Sequence, residues 1–90
     1  METSYSYVRE QIFKIQDALD DKELSSDKKL DYIQNALRVL DIENYSGIDQ
    51  ETKQRIINLK HKLANKDNYS KEDLLLESAQ LVDHVLKVSE

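Results

Sequence analysis

The sequence contains no cysteine and no proline, and Gly47 is its only glycine. All-β domains need glycine and proline in their tight turns, so this near absence argues against strands joined by hairpins. A small secreted domain usually depends on disulfides, so the lack of cysteine points to a reducing compartment, and we expect a cytoplasmic protein. The sequence has no apolar run long enough for a signal peptide or a membrane-spanning helix, so no integral membrane segment is predicted.

The net charge is −5 at pH 7, and it is distributed unevenly along the chain. Residues 1–46 contain six basic and ten acidic residues, residues 47–66 contain five and two, and residues 67–90 contain two and six. Nucleic-acid binding requires lysine and arginine clustered on one face, so an acidic chain argues against nucleic acid as a partner. A basic segment between two acidic ones favours complementary packing within the fold.

Apolar residues recur at steps of three and four along four segments, which is the period of amphipathic helices. These segments cover approximately residues 5–21, 27–41, 49–64 and 71–88. The chain length fits one domain, and short connections favour antiparallel neighbours, so the prediction is an all-α antiparallel four-helix bundle over residues 1–90. The predicted stripes of the first three segments contain Tyr5, Val8, Ile12, Ile15, Leu19, Leu30, Ile33, Ala36, Leu37, Leu40, Thr52, Ile56, Leu59 and Leu63, and the apolar arc of the fourth contains Leu74, Leu75, Ala79, Leu81, Val82, Val85, Leu86 and Val88.

The tripeptide Asn-Tyr-Ser occurs twice, at residues 44–46 and 68–70, and matches the acceptor pattern for N-glycosylation. Each serine is followed three residues later by aspartate, which resembles the capping box at the start of a helix. We therefore interpret both tripeptides as helix starts. The predicted caps are Ser46 with Asp49, Ser70 with Asp73, and Ser25 or Ser26 for the second helix.

The fourth segment has more apolar surface than one face of a bundle helix requires. On a helical wheel its apolar residues fill about half of the circumference, and Leu76 falls outside that arc. Phe13 is a second misfit, because it lies on the polar side of the first helix, and Tyr32 and Val39 widen the second. These misfits predict exposed apolar surface for a partner, whereas the alternative is that the fourth helix is simply the most buried one.

Chemical motifs are scarce in this sequence. It has no cysteine nucleophile, no glycine-rich phosphate loop and no pair of histidines at metal-binding spacing. His84 is predicted to be an exposed residue on the polar side of the fourth helix. His61 lies between lysines in NLKHKLAN, which leaves open a phosphotransfer domain of a two-component relay, although the glycine expected one turn later is absent. We expect a non-enzyme without a metal or cofactor.

The layout of the segments resembles a known family of bacterial proteins. LDYIQNALRVLDIENY, IINLKHKLA and YSKEDLLLESAQLV resemble the second helix, the third helix and the start of the fourth helix of the immunity proteins that lactic-acid bacteria make against their own class II bacteriocins. The resemblance implies a cytosolic, non-catalytic binding protein. Its partner would be a membrane-embedded sugar-transport receptor together with the bound bacteriocin. This chain is acidic, whereas the family is often basic, and because the sequence stops at Glu90 we expect it to lack the tail that family members commonly carry after the fourth helix.

Specificity in that family is attributed largely to the later part of the chain. The resemblance therefore implies partner contacts in the connection before the fourth helix and on the exposed side of that helix. Two other interpretations remain open, namely a small regulatory or phage-encoded module that binds another protein through its last helix, and a homodimer formed through the surplus apolar face. The predicted partner-binding residues are Phe13, Asn65, Lys66, Asp67, Asn68, Leu76, His84 and Lys87.

Overall fold

Four α-helices account for most of the chain. A computed structural model describes residues 5–89, and its helices are α1 (Tyr5–Asp20), α2 (Ser26–Arg38), α3 (Gln50–Ala64) and α4 (Lys71–Val88). Two short 3-10 helices, Ile42–Asn44 and Lys66–Asn68, lie in the connections before α3 and α4. The predicted all-α four-helix bundle is confirmed. The predicted domain limits of 1–90 also include residues 1–4 and 90, which lie outside the described part.

The helices follow one another around the bundle as antiparallel neighbours. α1 and α3 each pack against α2 and α4, and α2 also meets α4 across the centre. Contacts near the helix ends fix the directions. Lys29 Nζ, at the start of α2, donates to the Leu19 carbonyl at the end of α1 over 3.0 Å. Lys62, near the end of α3, likewise donates to Glu77, near the start of α4.

The core consists of the predicted stripes together with two residues from a connection. Ile42 and Ile48, between α2 and α3, are buried although neither belongs to a helical stripe. The connection folds back on itself there, since the Tyr45 hydroxyl accepts a hydrogen bond from the Asp41 N–H at 3.1 Å. The buried stripe residues are Val8, Ile12, Ile15, Leu30, Ile33, Ala36, Leu37, Leu40, Thr52, Ile56, Leu59, Leu63, Leu74, Leu81, Val82 and Val85, while Tyr5 and Leu19 are partly buried against them. Of the remaining residues in the predicted apolar arc of α4, Leu75, Ala79 and Leu86 are partly buried and Val88 is exposed.

Serine caps begin α2 and α4, as predicted. Ser25 Oγ accepts the N–H of Lys28 at 3.3 Å, and Ser70 Oγ accepts the N–H of Asp73 at 3.1 Å. Each bond satisfies one of the backbone donors that the first turn of a helix leaves free. The cap at Ser70 explains why α4 begins at Lys71.

The predicted cap of α3 at Ser46 is wrong. Asp49 caps this helix, because its backbone is extended and its carboxylate accepts the N–H of Thr52 at 3.1 Å. Ile48 is buried directly before it, so the chain enters the core first and becomes helical only after Asp49. Aspartate is as good an N-cap as serine, so the helix loses nothing by starting later.

Replacing Ser70 by alanine is expected to lower the free energy of unfolding by about 1 kcal/mol, because the Asp73 N–H loses its acceptor. Ser46→Ala is the matched control, since Ser46 is exposed and caps no helix, and its effect should stay within about 0.5 kcal/mol. Urea denaturation of both variants measures the difference. Equal losses would contradict the two cap assignments.

Candidate functional site

Leu76 and Phe13, the two apolar misfits of the sequence, are both exposed. The Leu76 residue is 58% exposed and the Phe13 residue is 44% exposed. The Arg9 guanidinium lies over the ring of Phe13, with its carbon 5.6 Å from the ring centroid. The prediction that these two residues lie outside the core is confirmed.

Phe13 and Leu76 lie on the neighbouring antiparallel helices α1 and α4, and helix geometry puts them at about the same height along the bundle. The side chains of Tyr5 on α1 and His84 on α4 both reach Thr52, so these two positions mark one level of the bundle. Phe13 lies eight residues after Tyr5 and Leu76 lies eight residues before His84, which places each about 12 Å from that level. We call Phe13 and Leu76 together the α1/α4 patch.

The connection between α3 and α4 contributes two residues that the fold already uses. Asn65 Nδ2 donates to a backbone carbonyl of α3 at 3.0 Å, and Lys66 Nζ lies 3.2 Å from Asp31 Oδ1 on α2. Asp67 and Asn68 are exposed. Of the predicted contact residues in this connection, Asp67 and Asn68 are therefore the ones that a partner reaches without displacing a structural contact.

The prediction that His84 is an exposed residue is wrong. Its side chain is only 11% exposed, and Nε2 lies 2.9 Å from Thr52 Oγ1 and 3.6 Å from Glu51 Oε2. The polar side of α4 faces the start of α3 at this point, so a neighbouring helix covers the imidazole. Lys87, almost one turn further along α4, is exposed and remains available to a partner.

Thr52 is the centre of a polar network at this end of the bundle. It is fully buried, and its hydroxyl donates to Asp49 Oδ1 at 2.8 Å and accepts from the Tyr5 hydroxyl at 3.3 Å. A hydroxyl has one proton and two lone pairs. The Thr52 hydroxyl donates its proton to Asp49 and accepts from Tyr5, so it can only accept from His84, and Nε2 is therefore the donor. Every bonding position of the Thr52 hydroxyl is then filled, and α1, α3 and α4 are joined through it.

Asp49, Glu51 and His84 form a group whose donor atoms lie within 4.8 Å of one another, which is close enough for a metal ion. A histidine ligand must present a nitrogen lone pair to the metal, but Nε2 of His84 donates to Thr52. The Asp49 carboxylate is also engaged, because it caps α3 and accepts the Thr52 hydroxyl. The positive end of the α3 dipole opposes a cation at this position. The arrangement therefore serves to join the helices.

The charged form of Asp49 is favoured in the folded protein. Partial burial raises the pKa of Asp49. Hydrogen bonds from Thr52 and from the Asp49 N–H, together with the electrostatic effect of the nearby His84, lower it by more, so the pKa lies below the usual 3.8. A group whose pKa is lowered by folding stabilises the protein above its unfolded pKa. That stabilisation is lost as the pH falls through the folded value.

The Asp49→Asn variant tests this pH dependence, because asparagine still caps a helix but carries no charge. We expect the wild type to be more stable than Asp49→Asn at pH 7, and we expect this advantage to shrink as the pH falls below 3.8. Urea denaturation at pH 7 and at acidic pH measures it. Asp67→Asn, at an exposed position, is the control, and the same pH-dependent difference in that variant would contradict the assignment.

An ion pair joins α3 to α4 on the outer side of the bundle. Lys62 Nζ lies 2.6 Å from Glu77 Oε1 and 5.7 Å from the centroid of the Tyr69 ring. The hydrogen bond and charge of Glu77 raise the pKa of Lys62 above its usual 10.5. Both partners are about a third exposed, so the pair positions the start of α4 and adds little stability.

A groove between α1 and α2 was not predicted as a site. Tyr7, Tyr32 and Val39 line it, and all three are exposed. From the sequence, Tyr32 and Val39 are predicted only to widen the apolar face of the second helix. The lining residues recur at heptad-like steps on both helices, but this spacing indicates a groove only once α1 and α2 are known to be neighbours.

Comparison of the chain with models of protein families, with curated proteins and with solved structures found no match. Within residues 5–89, every helix is too short or too polar to cross a lipid bilayer. The α1/α4 patch, the groove between α1 and α2 and the polar network at Thr52 are therefore the features that bear on function.

Proposed function

We propose that this protein is a non-catalytic binding protein and that its α1/α4 patch contacts a protein partner. Leu76 carries the proposal. Single exposed leucines are ordinary on protein surfaces, but Leu76 is accompanied by Phe13, which is exposed at about the same height on the neighbouring helix. The core does not need either of them, because Leu74 and Leu81 already fill the inner side of α4.

The buried polar groups support binding over catalysis. Ser78 Oγ donates to the Leu74 carbonyl at 2.8 Å, and the Thr52 hydroxyl uses all of its bonding positions within the fold. An active site instead needs a nucleophile or base with bonding capacity directed at a reacting atom. These groups stabilise the bundle.

Within this class, we propose a role in immunity to a bacteriocin. The resemblance of three segments to immunity proteins of lactic-acid bacteria supports this role, as does the four-helix bundle. The partner would be a membrane receptor with its bound bacteriocin, reached from the cytoplasmic side. Asp67, Asn68 and Lys87 would add polar contacts around the α1/α4 patch.

Expression of the chain in a sensitive lactic-acid bacterium tests this role directly. We expect tolerance to rise for one class II bacteriocin in a panel, while cells carrying an empty vector stay sensitive. An unchanged sensitivity to every peptide of the panel, with the protein shown to be expressed and folded, would overturn the immunity role.

The net charge of −5 favours a second candidate, a soluble regulatory partner, because anionic membrane surfaces repel an acidic protein. A purified soluble partner that binds the wild type but not Leu76→Asp would support this candidate. Light scattering separates both candidates from a homodimer. A wild-type dimer that becomes a monomer on Leu76→Asp would show that the patch binds a second copy of the chain.

A further inference from the structure

We propose that the groove between α1 and α2 is a docking site for one basic amphipathic helix of a partner protein. Tyr7, Gln11, Tyr32 and Val39 line its first part, and a second part, which shares Lys14 and Tyr32 with the first, reaches Leu24. This site goes beyond the proposed function because it lies on another face. Phe13 is turned by about 120° from Tyr7 around α1.

The spacing of the lining residues suits a helix. Alternating steps of four and three residues place side chains along one side of a helix and form the seam that receives the side chains of another helix in coiled coils. On α1 the row runs from Tyr7 to Ala18 and is about 16 Å long, which matches a docked helix of about 11 residues, and Asp21 follows directly after the helix. The rows consist of Tyr7, Gln11, Lys14, Ala18 and Asp21 on the side of α1, and Tyr32, Ala36 and Val39 on α2.

Small side chains at the groove floor allow close approach. Ala18 and Ala36 are both buried and line the groove from opposite helices. A larger side chain at either position would fill the space between α1 and α2. Tyr32 and Val39 stand at the rim, each more than half exposed, and offer apolar contacts to a helix that lies between them and α1.

Gln11 offers a polar contact that would fix the register of the docked helix. It is only 5% exposed, it lines the groove, and its side-chain amide forms no hydrogen bond with another residue of the described part. Its amide is not one of the buried polar groups that lack a partner within residues 5–89, so it reaches water through the groove. A docked helix would exclude that water and would have to offer the amide a polar side chain instead.

The charges along the groove select a basic helix. Asp17 and Asp21 make the end near Leu24 acidic, whereas Lys14 lies between the two parts of the groove, and none of the three belongs to an ion pair within residues 5–89. The segment that contains α1 and α2 is acidic overall, with ten acidic and six basic residues in residues 1–46. A helix with lysine or arginine at this end and apolar residues at the other would therefore match the groove in charge and in hydrophobicity.

Selection from a phage-displayed library of helical peptides tests the proposal. The peptides are about 16 residues long, enough to cover the groove, and are randomised at the positions of one face. On the full chain we expect enriched peptides with apolar residues three and four apart and with lysine or arginine near one end. Their affinity should fall at least about tenfold for Tyr32→Asp and for Val39→Asp, and should be unchanged for Leu76→Asp.

Gln11→Leu provides an independent measurement. Because the amide reaches water in the free protein, its removal should leave the melting temperature within a few degrees of the wild type. Selection on this variant should then yield peptides with an apolar residue where the wild type selects a polar one. Circular dichroism and thermal melting confirm that the variants at the exposed positions 32 and 39 stay folded.

Three results would overturn the proposal: no enriched peptides, peptides that bind Tyr32→Asp as well as the wild type, or a wild-type dimer that Val39→Asp converts to a monomer. The last result would show that a second copy of the chain covers the groove. Leu76→Asp affects the α1/α4 patch and Tyr32→Asp affects the groove. Failure at one surface is therefore distinguishable from failure at the other.

Discussion

Replacement of Thr52 by valine is expected to lower the free energy of unfolding by about 2–3 kcal/mol, although the two side chains have almost the same shape. Thr52 is fully buried, and its hydroxyl contacts Asp49, His84 and Tyr5 at 2.8, 2.9 and 3.3 Å. Valine would leave three polar groups opposite a methyl group. Two of them belong to α1 and α4, so the loss affects the packing of three helices.

Thr52→Ser is the matched control, because it keeps the hydroxyl and removes the methyl group. Its expected cost is about 1 kcal/mol for the lost burial of one methyl. Urea denaturation at pH 7 compares the two variants. A loss for Thr52→Ser as large as that for Thr52→Val would mean that methyl packing, and not the hydroxyl network, stabilises this end of the bundle.

The limits of α4 follow from the sequence, whereas the end of α2 depends on tertiary packing. Ser70 is a strong cap and apolar residues continue to Val88, so the predicted and observed α4 coincide. The second helix was predicted to extend to about residue 41 but ends at Arg38. The chain turns there because Leu40 and Ile42 are both buried, and a continuing helix would direct them to different sides.

The exposure of Leu76 and Phe13 can be predicted from the pattern of a single helix, whereas the burial of His84 and the groove between α1 and α2 depend on how two helices pack. A helical wheel identifies Leu76 and Phe13 as lying away from the core, and the structure confirms this. The same wheel places His84 on a polar face but does not show that α3 covers it. A helical wheel also does not predict the groove, because the residues of α1 that line it are aromatic, polar and charged and form no apolar stripe.

Leu76→Asp is expected to weaken partner binding by about 30-fold, on the order of 2 kcal/mol, which is the effect of removing a residue central to an interface. The stability of the free protein should change by less than about 0.5 kcal/mol, because Leu76 is exposed. An aspartate in the second turn of α4 is also compatible with the positive end of the helix dipole. Loss of binding would then reflect the surface and not the fold.

The tolerance of a sensitive lactic-acid bacterium to the matching bacteriocin measures this effect in the cell, and thermal melting of the purified variant measures its stability. Val88→Asp is the control for added charge, because it places an aspartate at another exposed apolar position on α4, away from the α1/α4 patch. The negative end of the helix dipole disfavours this aspartate, so thermal melting of Val88→Asp is measured as well. Phe13→Asp should reduce tolerance as Leu76→Asp does. If Leu76→Asp and Val88→Asp protected the cell as well as the wild type, the α1/α4 patch would not be the partner surface.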